Sequence, residues 1–193
     1  MTPEDFLRDV VRPVLAELGK HDRSFDTDAT ALGLVAVALQ ESGLEHRRQL
    51  VKCPDGVLTP VGPARGFFQF ESAGVHQAGL NGPSCCRDMI YSLDPCALPI
   101  KGGGKLRGEW KPLHLALEQP CNDRVACLLA AALPVSLGLK WPKIGDETAC
   151  WMVYFRAWRP GMPHRERWTR SYARARDAVE GRRKDLRPDN VRV

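Results

Sequence analysis

The chain has 193 residues, 44% hydrophobic and 26% charged, a size and composition for one domain with a real core. That excludes a disordered chain, a collagen-like chain and a disulfide miniprotein, and no apolar run approaches the ~20 residues of a transmembrane helix. The net charge of +5 sits in residues 164–193, where ten Lys/Arg face five acids; the other 163 residues balance at eighteen each.

Residues 3–18 read as an amphipathic helix with Phe6, Val10, Val14, Leu15 and Leu18 on one face. Pro13 either kinks it or marks a new first turn, and residues 19–22 stop it. Asp26 or Asp28 is the expected cap of a second helix running to Glu41. Its body, 29–39, is almost wholly apolar, the signature of a buried central helix. Gly43 stands where a left-handed glycine ends it.

Residues 45–63, punctuated by Pro54, Gly56, Pro60, Gly62 and Pro63, suit a loop or short hairpin. An aromatic knot follows at 66–70, then a short helix at 72–78. Residues 79–112 form a long excursion with one short helix near 86–92. Gly102-Gly103-Gly104 lacks the Lys-Ser/Thr of a phosphate loop and reads as a turn. An apolar helix is expected at 123–133, capped by Asn122 or Asp123 and closed by Pro134 and Gly138. Asp146 caps a helix at 147–158, with Ala149, Trp151, Met152 and Val153 facing inward. The last helix, 164–179, carries Trp168, Tyr172, Ala175 and Val179 on one stripe. The fold class is therefore mostly α. A single domain covers 1–180, with a loop excursion at 81–120 and a small irregular or β-like region near 50–65. A basic tail follows at 181–193.

Seven cysteines (53, 85, 86, 96, 121, 127 and 150) contain no C-x-x-C pair. Small buried hydrophobes, with at most a disulfide from Cys85 or Cys86 to Cys96 or Cys121, suit them better than zinc. No metal and no cofactor is expected. The acidic start, Met1-Thr-Pro-Glu-Asp, lacks the basic and apolar regions of a secretory signal.

The chemical anomaly is Glu41, a carboxyl ending the most apolar helix. Burial and the negative end of the helix both raise its pKa. A carboxyl protonated near neutral pH is what general-acid cleavage of a glycoside needs. The alternative is a side chain that simply reaches the surface at the helix end.

After Glu41-Ser42-Gly43 come Ala64-Arg65-Gly66-Phe67-Phe68-Gln69-Phe70-Glu71, Trp158-Arg-Pro-Gly and Arg167-Trp168-x-x-Ser171-Tyr172-Ala173. This order resembles soluble lytic transglycosylases and goose-type lysozymes, in particular small phage-encoded lysozyme-like proteins. The resemblance covers residues 30–80 and 120–180. It implies a lysozyme-like fold and cleavage of the MurNAc–GlcNAc bond of peptidoglycan, with Glu41 as acid and then base. By the same resemblance Ser42 lines the substrate cleft, and Gln69 bonds sugar or acetamide groups or else caps its own loop. Tyr172 places its hydroxyl near Glu41 or the acetamide or else is a core residue of the last helix, and Trp158 forms a sugar platform or a core contact. Phe67 and Phe68 would be buried anchors. Many of these enzymes carry a Ser before the Ala-x-Gly segment, where this chain has Thr59 and Pro60.

The product stays open. A single acid gives an anhydro sugar, whereas Glu71, two residues beyond Gln69, would support hydrolysis by a lysozyme; Glu45 and Asp55 are further acids. The expected partner is the peptidoglycan glycan strand, with the basic C-terminus suited to an anionic membrane surface and no nucleic acid expected. A phage product would be released from the host cytoplasm to the periplasm or carried in a virion. A non-catalytic lysozyme-like component contacting phage tail or virion proteins is the other class, and the two are told apart by whether Glu41 lines an open cleft.

Overall fold

The computed structural model describes residues 1–93 and 110–185. The triple glycine, Cys96 and the chain beyond Asp185 lie outside the described residues. The fold is mostly helical, as expected, with one two-stranded sheet among the described residues.

The N-terminal helix is built in three parts: α1 (Pro3–Phe6), a π turn (Leu7–Val11) and α2 (Arg12–Gly19). Pro13 explains the π turn. It lacks an N–H and its ring crowds the carbonyl four residues back, that of Asp9. The wider turn relieves the clash, and the Asp9 carbonyl accepts from Nε and Nη2 of Arg124 at 3.3 and 3.2 Å. Pro13 thus stands in the first turn of a new helical segment.

The central helix α3 (Asp28–Ser42) is buried on every side, as its composition requires. Neither Asp26 nor Asp28 caps it. Thr27 does, its hydroxyl accepting from the Thr30 N–H at 3.1 Å, while Asp28 pairs with Arg12. Gly43, at φ +66°, ends it in the left-handed form.

A small antiparallel hairpin follows, β1 (Val51–Lys52) with β2 (Leu58–Thr59), Val51 opposite Thr59. Next come α4 (Ser72–Asn81), α5 (Ser84–Leu93) and α6 (Trp110–Ala116). The second buried helix, α7 (Asp123–Ser136), runs through Pro134 rather than ending there, and no side chain caps its start. Asn122 instead donates to the Ala116 carbonyl at 2.9 Å.

Asp146 caps α8 (Glu147–Trp158), accepting from the Ala149 N–H at 2.9 Å. Its inward face is Cys150, Val153, Tyr154 and Ala157; Met152 is 41% exposed, against expectation. The helix is turned by part of a residue's rotation from the expected phase. α9 (Arg165–Asp185) buries Trp168, Tyr172, Ala175 and Val179 as one stripe, packed mainly on α3. It extends into the expected tail, so residues 181–185 are helical.

The core runs from Phe6 through α3, Phe67, Phe68 and α7 to Trp168. Phe67 and Phe68 are buried, and Phe6 packs edge-on to Phe67 at 5.6 Å. All six described cysteines are free. Among the described residues no helix is long and apolar enough to cross a membrane.

Candidate active site

The end of α3 opens onto a cleft of about 620 Å³. One wall is the 64–77 segment, the other is α8 with its turn into α9. Glu41, the penultimate residue of α3, reaches it. Burial is the largest influence on its carboxyl and pushes the pKa up to about 7; a hydrogen bond from Tyr154 and the charge of Arg167 act in the opposite direction.

The Tyr154 hydroxyl donates to Glu41 Oε1 at 2.7 Å. Burial, reinforced by the neighbouring carboxyl, holds the Tyr154 pKa above its ordinary value, so the phenol stays a donor. Its ring stacks on Trp168 at 4.9 Å and 17°, and Trp158 lies 6.2 Å along the same aromatic row. These contacts fix where the hydroxyl points. With Oε1 accepting that bond, Oε2 is the oxygen free to carry a transferable proton.

Tyr172 does not occupy this place. Its hydroxyl accepts from the Gly145 N–H at 3.0 Å, in the turn that leads into α8. Ser42 is likewise not a cleft residue. It is buried, its hydroxyl 2.9 Å from the Ala38 carbonyl and 2.8 Å from that of Phe67, accepting from the Leu44 N–H at 3.2 Å. It pins the helix end, and so Glu41, to the aromatic segment.

Gln69 lines the cleft from a left-handed backbone, φ +48°. Its Nε2 donates to the Gly66 carbonyl at 2.7 Å, with a longer contact to the His46 carbonyl at 3.5 Å, so the amide closes its own loop at the cleft wall. That loop is braced behind by His114, whose Nε2 donates to the Phe70 carbonyl at 2.8 Å, and by the buried Arg65, paired with Glu118 at 3.0 Å. Trp158 lines the cleft half-buried, its indole N–H on the Phe68 carbonyl at 3.1 Å. Glu71 is exposed in the same cleft, standing at the N-cap of α4 without a capping side-chain bond.

Thr59 faces away, its hydroxyl accepting from the Cys53 thiol at 3.3 Å. Glu45 and Asp55 do not line the cleft; Asp55 accepts from the Val57 N–H in the hairpin turn. The remaining polar lining includes Gln49, Gln77, Arg159, His164 and Arg167. Among the described residues no cluster of His, Cys, Asp or Glu is arranged to hold a metal ion.

Tyr154 is the main residue the sequence reading missed. The signal was present: Cys150, Val153, Tyr154 and Ala157 follow i, i+3, i+4, i+7 spacing, and a phenol on that buried stripe needs a partner. Comparison with protein-family models, curated proteins and solved structures finds no match for this chain.

Proposed function

We propose that this chain is a lysozyme-like peptidoglycan glycosidase that cleaves the MurNAc–GlcNAc β-1,4 bond with Glu41 as its acid/base. The observation that carries the reading is the Glu41–Tyr154 pair: a desolvated carboxyl, protonated near neutral pH and oriented by a phenol, at the wall of an open cleft. An open cleft at Glu41 also favours an enzyme over a structural virion component.

The mechanism follows from the residues. The Glu41 proton passes to the glycosidic oxygen as the bond from that oxygen to C1 of MurNAc breaks. Positive charge then develops at C1, and the substrate's own acetamide oxygen supports it. Glu41, now a carboxylate, takes the proton of the sugar's 6-hydroxyl as that oxygen closes on C1. Leaving group and 1,6-anhydro product account for every proton. Neutral amides along the cleft (Gln49, Gln69, Gln77) suit sugar hydroxyls and acetamides. The Trp158 edge supplies apolar surface for a sugar face.

Hydrolysis is the second reading, favoured by one observation: Glu71 shares the cleft and its carboxyl is not used to cap α4. It would activate a water. A phage origin, with release to the periplasm or carriage in a virion, fits either chemistry.

The test is digestion of purified Gram-negative peptidoglycan by the wild type and by Glu41→Gln, with products read by mass spectrometry. Anhydro-muropeptides from the wild type alone are expected. Reducing-end products abolished by Glu71→Gln would establish the lysozyme. No soluble product from folded wild type would remove the enzymatic reading.

A further inference from the structure

Among the described residues, three other than glycine hold a left-handed backbone: Leu44, Gln69 and Arg159. Leu44 is buried in the core. The other two both line the cleft. Arg159 occupies the C-cap of α8 at φ +49°, ψ +54°. A side chain there crowds the following carbonyl, which is why glycine is preferred, and α3 uses Gly43 in the same slot.

The Arg159 N–H closes the helix on the Phe155 carbonyl at 3.1 Å, a bond that glycine would make equally well, so the side chain itself does nothing to offset that strain. The exposed Arg159 side chain has no hydrogen bond or ion pair among the described residues. Strain kept at a cleft is the mark of a side chain retained for a ligand.

Two further arginines stand close by in the sequence. Arg167, in the first turn of α9, opens on the same cleft, its only hydrogen bond among the described residues being to the Leu39 carbonyl at 3.4 Å. A second groove, about 480 Å³, shares His164 and Arg167 with the cleft and continues to Arg170. Arg170 makes no ion pair among the described residues. Within this groove Arg165 is already paired with Glu147 at 3.2 Å, and Glu166 is the one acid. The balance on this lip is cationic.

We infer that Arg159, Arg167 and Arg170 form a carboxylate-binding lip that receives an acidic substituent of the glycan beside the Glu41 cleavage position. The inference rests on the glycosidase reading and adds a substrate preference to it. Two carboxylates on peptidoglycan have this chemistry, those of the stem peptide and the lactyl carboxylate exposed when the peptide is removed.

Binding separates the inference from catalysis. Full-length Glu41→Gln is titrated calorimetrically at low salt with three probes. These are an oligosaccharide of GlcNAc alone, glycan strands stripped of peptide, and peptide-bearing strands. Carboxylate-bearing strands are expected to bind about tenfold more tightly than the neutral oligosaccharide, the scale of a few solvated ion pairs. Adding Arg159→Gly and Arg170→Gln should remove most of that preference, while Arg159→Gly alone leaves the melting temperature unchanged or higher. A preference kept by stripped strands assigns the lactyl carboxylate; one confined to peptide-bearing strands assigns the stem peptide. Equal binding of all three probes, with wild-type cleavage intact, overturns the lip alone. A preference unmoved by the arginine changes does the same. No binding of any probe, with no wild-type product, overturns the lip and the glycosidase reading together.

Discussion

Tyr154 and Tyr172 hold different places in the structure, and pH separates them. The Tyr154 hydroxyl bonds Glu41 and draws its pKa down against burial. In Tyr154→Phe that donor is gone, so the Glu41 pKa rises further. The plot of kcat/KM against pH is expected to fall on the alkaline side near 7 in the wild type and at higher pH in Tyr154→Phe. Activity at the optimum should drop about tenfold or more, from the lost orientation of the acid. Tyr172→Phe loses only the Gly145 bond, about 1 kcal/mol of stability. Its pH profile should match the wild type's; a shifted profile would return Tyr172 to the site. Glu41 also sets a stability signature. Its folded pKa of about 7 lies above the unfolded 4.5, so the native state binds the extra proton. Stability therefore falls as pH rises through that window and levels off above it. Glu41→Gln never ionises. It should match the wild type near pH 4 and be more stable at pH 8, by about 3 kcal/mol at most. Chemical denaturation at the two pH values reads this directly, and equal differences at both would mean that the carboxyl is solvated.

At the level of elements, α3 carries an unexpected constraint at Gly33. A glycine inside a helix costs about 1 kcal/mol relative to alanine. It stays because the Trp141 ring lies against it: an added Cβ would meet ring carbons at 2.4 and 2.5 Å. Gly33→Ala must therefore displace a rigid indole. Overpacking of about 1–3 kcal/mol outweighs the helix gain, so the variant should melt lower and show a changed tryptophan emission. An unchanged melt would mean that the ring moves freely. This contact joins residues 33 and 141, and no local pattern announces it. The same division runs through the fold. Unbroken apolarity in α3, the Gly43 cap, the Asp146 cap and the α9 stripe are local signals, and each was readable from the sequence. Thr27 displaced the two candidate aspartates because Asp28 had a remote partner, Arg12. In α8 the inward face is not ranked by the sequence because residues 149–155 are apolar or aromatic without a break, and periodicity cannot choose among them. The site divides likewise. Glu41 and Gln69 were marked by anomaly and by motif, whereas the identity of the tyrosine depended on how α8 and α9 pack.

Across the whole molecule, charge and cleft converge on one helix. α9 buries its Trp168–Val179 stripe against α3, which leaves Arg170 and Arg174 outward on an exposed face. The same helix contributes Arg167 to the cleft wall. The excess of five positive charges that the sequence concentrates in its last thirty residues is thus partly mounted on the element that borders the site. A field of this kind acts on capture of an anionic polymer rather than on bond cleavage, and salt screens it over about 10 Å at 0.1 M. Raising ionic strength from about 0.05 to 0.3 M should raise KM for peptidoglycan several-fold and leave kcat near its low-salt value. The Glu41–Tyr154 pair is shielded enough that salt should not reach it. A kcat that falls in step with the salt would instead mean that the chemistry itself is exposed to solvent, and a KM indifferent to salt would leave the basic face of α9 without a part in capture.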